Sequence, residues 1–152
     1  MVRLRAPMEG KMKPDQAKVD RAIRMISDVF GDLGFVPPTM LEVVDDANVN
    51  AAVCATGEFM LTLAALDLPD EPLRAIIAHE VGHIALRHIY APRDVYEANR
   101  AKWERDADVF AARYVGPDAM LALHRNYLQG DRWSAERISA LEAMQREQCA
   151  TA

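Results

Sequence analysis

The stretch "AIIAHEVGHIALRH", residues 75–88, holds three of the four histidines in the chain. It reads as part of a long buried helix over residues 71 to about 90, which Pro92 forces to break. His79 and His83 are four apart and so project from one helical face, about one turn from each other. That is the geometry in which two imidazoles hold one tetrahedral Zn²⁺. Glu80 lies about 100° round the helix from His79, within reach of a water on such an ion. Leu73, Ile77, Glu80 and Ile84 share a stripe, so Glu80 stands where leucine would pack better. An unpaired buried carboxylate is costly and answers by raising its pKa. Service as a general base accounts for the placement; stability alone does not.

A catalytic zinc takes three protein ligands and leaves the fourth position to water, and H-E-x-x-H supplies two. His88 is nine residues beyond His79, half a turn round, and points away if the helix continues. A second helix, expected from about Val95 to Val115, offers "KWERDADVFAARY". Trp103, Ala107, Phe110 and Tyr114 mark its apolar side, and Glu104 and Asp108 fall within that side, four residues apart. Two acids on a buried face need a reason. Glu104 as the third ligand and Asp108 steadying a liganding histidine would supply one. An internal ion pair with Arg100 or Arg105 is the other reading.

Around these helices the chain is one domain's length, 152 residues, with 51% apolar and 27% charged residues, as in globular proteins. Residues 1–13 read as a flexible N-terminal arm and 14–152 as a single domain. A helix is expected from Asp15 to about Phe30, closed by Gly31 and Gly34. "TMLEVVDD", "AAVCAT" and "EFMLTLAAL" read as strands of a small, mostly antiparallel sheet with one edge free. Helices from Pro117 to Leu128 and from Ser134 to about Glu147 complete an α+β order. A net charge of −5 argues against a nucleic-acid partner. No stretch approaches the ~20 apolar residues of a membrane span, and no signal-type apolar region follows the N-terminus, so a cytoplasmic location is expected. Cys54 and Cys149 show no metal-type spacing and read as plain thiols.

"LDLPDEPLRAIIAHEVGHIALRH" followed by "ERDADVFA" resembles the gluzincin zinc metallopeptidases, and among them the family of the heat-shock protease HtpX and the CAAX prenyl endopeptidase. Members carry H-E-x-x-H on one helix and E-x-x-x-D, often E-x-x-A-D, on the next; here these are His79, Glu80, His83 and Glu104, Ala107, Asp108. The resemblance spans about residues 19 to 142 and implies a zincin-like metallopeptidase domain. "VVDDANVNAAVCATGEFMLT" looks like the family's strand segment, which implies that Asn50, Ala51 and Ala52 lie on a rim strand where substrate main chain adds as a β-strand. "AERISALE" is similar to the family's Arg-Ile segment and implies Arg137 near the site. Where relatives have His-Pro before that pair, this chain reads "GDRWSAERI". The donor to the oxyanion is then missing, or supplied by His124, Tyr127 or Arg137. On its own spacing His124 shares a stripe with Met120, Leu121 and Leu128 and reads as a core residue. Lacking the membrane helices of many relatives, the chain looks like a soluble minimal domain of the minigluzincin kind.

The implied activity is hydrolysis of internal peptide bonds in a peptide or protein substrate. One zinc per chain on His79, His83 and Glu104 would activate water, with Glu80 as general base and then acid. Two other readings stay open. "HEVGH" with "ERDADVFAARYVGP" also looks like zinc-dependent regulators of the ImmA and IrrE type, which act on one repressor, although no helix-turn-helix segment or basic stripe is evident. The other is a catalytically silent binding domain.

Overall fold

The computed structural model describes residues 3–5, 10 and 12–151. The architecture is α+β, as the order of elements predicts, with six α-helices and one small sheet among those residues. Helix α1, Gln16–Asp32, begins where the Asp15 carboxylate accepts the Ala17 N–H at 2.8 Å. It buries Val19, Ala22, Met25, Ile26, Val29 and Phe30, the 3–4 spacing of one apolar face. Glycine at 34, with φ +80°, releases the chain from this helix.

The sheet holds β1 (Arg3–Arg5), β2 (Met40–Val44), β3 (Ala51–Val53) and β4 (Glu58–Thr62), in the order β1-β2-β4-β3. Its pairing is mixed, which corrects the expected mostly antiparallel sheet. β4 runs parallel to β2 with Met40 opposite Glu58, and only β3 and β4 are antiparallel. Residues 45–50 carry the chain past the place that β4 later fills, so β3 lands on the outer edge and β4 returns between. Within the expected arm, Arg3–Arg5 pairs parallel with Met40–Glu42. Residues 1, 2, 6–9 and 11 of that arm lie outside the described residues.

The third expected strand stops early, because the Thr62 hydroxyl accepts the Ala65 N–H at 3.2 Å and caps a one-turn helix α2, Leu63–Leu66. The same hydroxyl accepts the Asn50 N–H at 3.1 Å, which ties the start of β3 to the end of β4. Helix α3, Asp70–Ala85, comes next and is the centre of the fold, buried from Pro72 to His83 apart from Arg74. It packs against α1, β3, α4 (Arg93–Val115) and α5 (Pro117–Asn126). Surrounded so, it is apolar all round beyond its first turn and Arg74, except where it carries chemistry. Leu73 and Ile77 are fully buried, worth about 1.5–3 kcal/mol each. The last helix, α6 (Ser134–Thr151), lies across α4 and α5. No described helix is long and apolar enough to cross a membrane.

Candidate active site

His79 and His83 leave the same face of α3, and Glu104 meets them from α4. His79 Nε2 lies 3.1 Å from His83 Nε2 and 3.3 Å from Glu104 Oε2; His83 Nε2 lies 3.7 Å from Glu104 Oε1. Zinc bonds of about 2.0–2.2 Å at the tetrahedral angle put neighbouring ligands about 3.3–3.5 Å apart. One ligand atom from each of the three residues lies within 4.8 Å of the others, near the spacing of a set that shares one ion, and the chemistry of two imidazoles and a carboxylate suits zinc.

The close approach of the two helices makes this spacing possible. A Cβ on Gly82 would meet Ala107 Cα and O at 3.1 Å and Phe110 Cδ1 at 3.2 Å. Glycine on α3 and alanine on α4 let the two backbones come together, which brings Glu104 and Asp108, each about a turn from Ala107 or beside it, to the histidines.

Each donor is held from behind. The His79 Nδ1–H donates to Asp108 Oδ1 at 2.7 Å. Asp108 is 1% exposed and also accepts from Arg137 Nε and Nη2 at 2.6 and 2.9 Å. A His124 ring nitrogen, Nε2, reaches Asp108 Oδ2 at 2.9 Å. The buried acids do pair with arginine, but with Arg137 of α6 and neither Arg100 nor Arg105; Arg137 Nη1 also comes within 3.5 Å of Glu104 Oε2. Tyr96, about two turns earlier on α4, donates its hydroxyl to Glu104 Oε1 at 2.7 Å. His83 Nδ1 faces His88 Nδ1 at 3.0 Å. That contact corrects the reading of His88 as pointing away: α3 ends at Ala85, Arg87 turns left-handed (φ 62°), and His88 folds back in a 3₁₀ turn, buried. Tyr96 is not singled out in the sequence, and His88 is set aside there because a continuing helix would turn it from the H-E-x-x-H face.

The electrostatics arise from burial set against charge. Burial pushes Glu80 up to about 7, with the His79 charge and a backbone hydrogen bond from Val53 pulling the other way. Burial opposes the charged form of His79 too, but Asp108 and then Glu104 outweigh it and hold the ring's pKa at about 10 when no cation is present. His83 is driven down to about 3, by burial first and then by the His79 charge. Burial raises the carboxyls of Glu104 and Asp108, yet hydrogen bonds from the groups around them bring both well below the ordinary carboxylate range.

The donors open onto a cleft of about 770 Å³. Ala51 and Ala52 line it from β3, the edge strand of the described sheet, with Asn50 just before that strand, and Glu80, Tyr96 and Arg137 line it too. Arg137 thus reaches the cleft, but its Nε and Nη2 are spent on Asp108. His124 is 8% exposed and lies behind Asp108; Tyr127 is 36% exposed at the end of α5. His124 is neither an idle core residue nor a group on the cleft wall, because its ring nitrogen is bound to Asp108.

The description "Peptidase family M48" belongs to the family model that matches residues 15–95, just over half of the 152-residue chain. No curated protein and no solved structure matches the chain.

Proposed function

The chain belongs to peptidase family M48, a family of zinc-dependent proteases, and from that premise we propose that it is a zinc-dependent metalloendopeptidase of the HtpX-like gluzincin type, cutting internal bonds of a peptide or protein. The observation that carries the reading is the triad His79, His83 and Glu104, whose donor atoms lie within 4.8 Å of one another. The matched segment ends at residue 95, before Glu104, so the third donor supports the reading independently of the family match.

His79, His83 and Glu104 would hold one Zn²⁺ per chain. Zinc there would lower the pKa of water to about 7 and polarise the scissile carbonyl. Glu80 is the catalytic residue: it takes the proton of the attacking water and delivers it to the leaving amine. A carboxyl lifted by burial toward neutrality suits both halves of that exchange. Asp108, with Arg137 and His124 behind it, keeps His79 oriented. Ala51 and Ala52, with Asn50 leading into them, offer the outer edge of β3, which no described strand covers, and substrate main chain would add there.

The test is Glu80→Gln with a diverse peptide digest and a zinc assay. Zinc should stay at one per chain while cleavage falls by roughly 10²–10⁴-fold. Undiminished cleavage removes Glu80 from the mechanism. Full zinc with no cleavage by the unaltered protein points to a binding domain, and a cut confined to one repressor points to a regulator.

A further inference from the structure

Leu86, Arg87 and His88 would extend α3, yet the helix stops at Ala85. Arg87 takes φ 62° and ψ 20° and is the non-glycine residue with positive φ among those described. A residue with a Cβ disfavours that conformation, so the turn it makes must be held by contacts beyond it. His88, the next residue along the chain, makes them. The residue is 5% exposed and its ring lies flat on the Trp103 indole, with centroids 4.6 Å apart and planes 4° from parallel. Trp103 is the residue before Glu104, so the helix that supplies the carboxylate also pins this ring.

A liganding imidazole holds its metal best when its other nitrogen is tied, which fixes both tautomer and ring angle. His79 is tied to a carboxylate. Among the described residues, His83 Nδ1 has one hydrogen-bond partner, His88 Nδ1 at 3.0 Å. We infer that His88 is a positioning residue for His83, accepting the Nδ1–H of that ring so that its Nε2 lone pair faces the other two donors. His88 is not a fourth ligand, because its Nδ1 meets the far nitrogen of His83 and stands outside the three-donor set. The inference rests on the metallopeptidase reading and names a part of that site.

Two variants separate the nitrogen from the ring. His88→Phe keeps the plane on Trp103 and deletes the acceptor. His88→Asn deletes the ring and sets an amide oxygen where Nδ1 stood, one bond beyond Cγ. Zinc affinity of the full chain is measured by competition with a chromophoric chelator, and the hydrogen bond from His83 Nδ1–H by the ¹H shift of that proton in NMR of the zinc-loaded protein. His88→Phe should bind zinc roughly 10–100-fold more weakly and lose the downfield, hydrogen-bonded position of the His83 Nδ1–H signal, while His88→Asn should stay close to the unaltered protein. Should His88→Phe fail to fold, Asn against Ala at the same position gives the same contrast, with Asn the tighter. Equal affinity for His88→Phe and the unaltered chain overturns the inference alone, as does Asn binding no better than Phe or Ala. An unaltered chain that takes up no zinc overturns the metallopeptidase reading, and this inference with it.

Discussion

Gly82→Ala and Gly31→Ala make one chemical change on two helices and should move stability in opposite directions. Alanine in place of glycine favours a helix by about 0.8–1.0 kcal/mol in its interior. At Gly31, near the end of α1, nothing lies within 4 Å of the added methyl, so part of that gain should be seen. At Gly82 the methyl would stand 3.1 Å from Ala107 Cα and O and 3.2 Å from Phe110 Cδ1. Two of those atoms are backbone and cannot swing aside. Relief requires α3 and α4 to part by a few tenths of an ångström. Overpacking of this kind costs about 1–3 kcal/mol, which exceeds the propensity gain and leaves a net loss of about 1 kcal/mol.

The same movement pulls Glu104 from His79, now 3.3 Å away, and from His83, now 3.7 Å away. Urea unfolding with chelator present reads the stability, and chelator competition reads the zinc. Gly82→Ala should lose on both; Gly31→Ala should gain stability and keep its zinc. A Gly82→Ala protein more stable by about 1 kcal/mol, with zinc affinity unchanged, would refute the idea that this glycine sets the helix spacing.

Asp108→Ala takes from the buried Arg137 guanidinium its two closest contacts, leaving Glu104 at 3.5 Å, and removes the partner of His79 and His124, so unfolding should become easier by about 3–5 kcal/mol; a loss under about 1 kcal/mol would show the network to be slack. Zinc has to displace the His79 proton, whose pKa of about 10 keeps it bound at pH 8, so zinc uptake at pH 8 should release at least one proton, and calorimetry in buffers of different ionisation enthalpy counts it. The same ring sets the sign for the metal-free protein: its folded pKa is raised above 6.5, so its contribution to stability is full below pH 6.5 and disappears as pH climbs toward 10. Glu80, raised from 4.5 to about 7, loses its own contribution earlier, as pH climbs from 4.5 to about 7. Thermal melts of chelator-treated protein should therefore fall from pH 6.5 to 10, and a flat profile would contradict the His79 assignment.

What the sequence disclosed of this site, and what it hid, divides along the helical period. His79, Glu80 and His83 sit on one unbroken helix, so spacing alone aligned them. Glu104 and Asp108 were legible for a different reason: acids four apart on the apolar side of α4 demand partners, and the H-E-x-x-H helix offers them. Arg137 comes from α6 and His124 from α5, and no local pattern says that both end on Asp108. The parallel pairing of β2 with β4 was equally hidden, because residues 45–50, which carry the chain past β4's place, hold no record of where they cross. His88 is the instructive failure. Extrapolating the helix placed it half a turn away, and the sequence offers no glycine or asparagine at position 87 to announce that the helix ends. An arginine in the left-handed region is held there from outside, by the packing of His88 on Trp103 and its bond to His83. The two histidine donors are thus supported by opposite means. The carboxylate behind His79 is recognisable from its own helix, whereas the ring behind His83 reaches it only because the helix breaks, so a reading by period could find the first and was bound to discard the second.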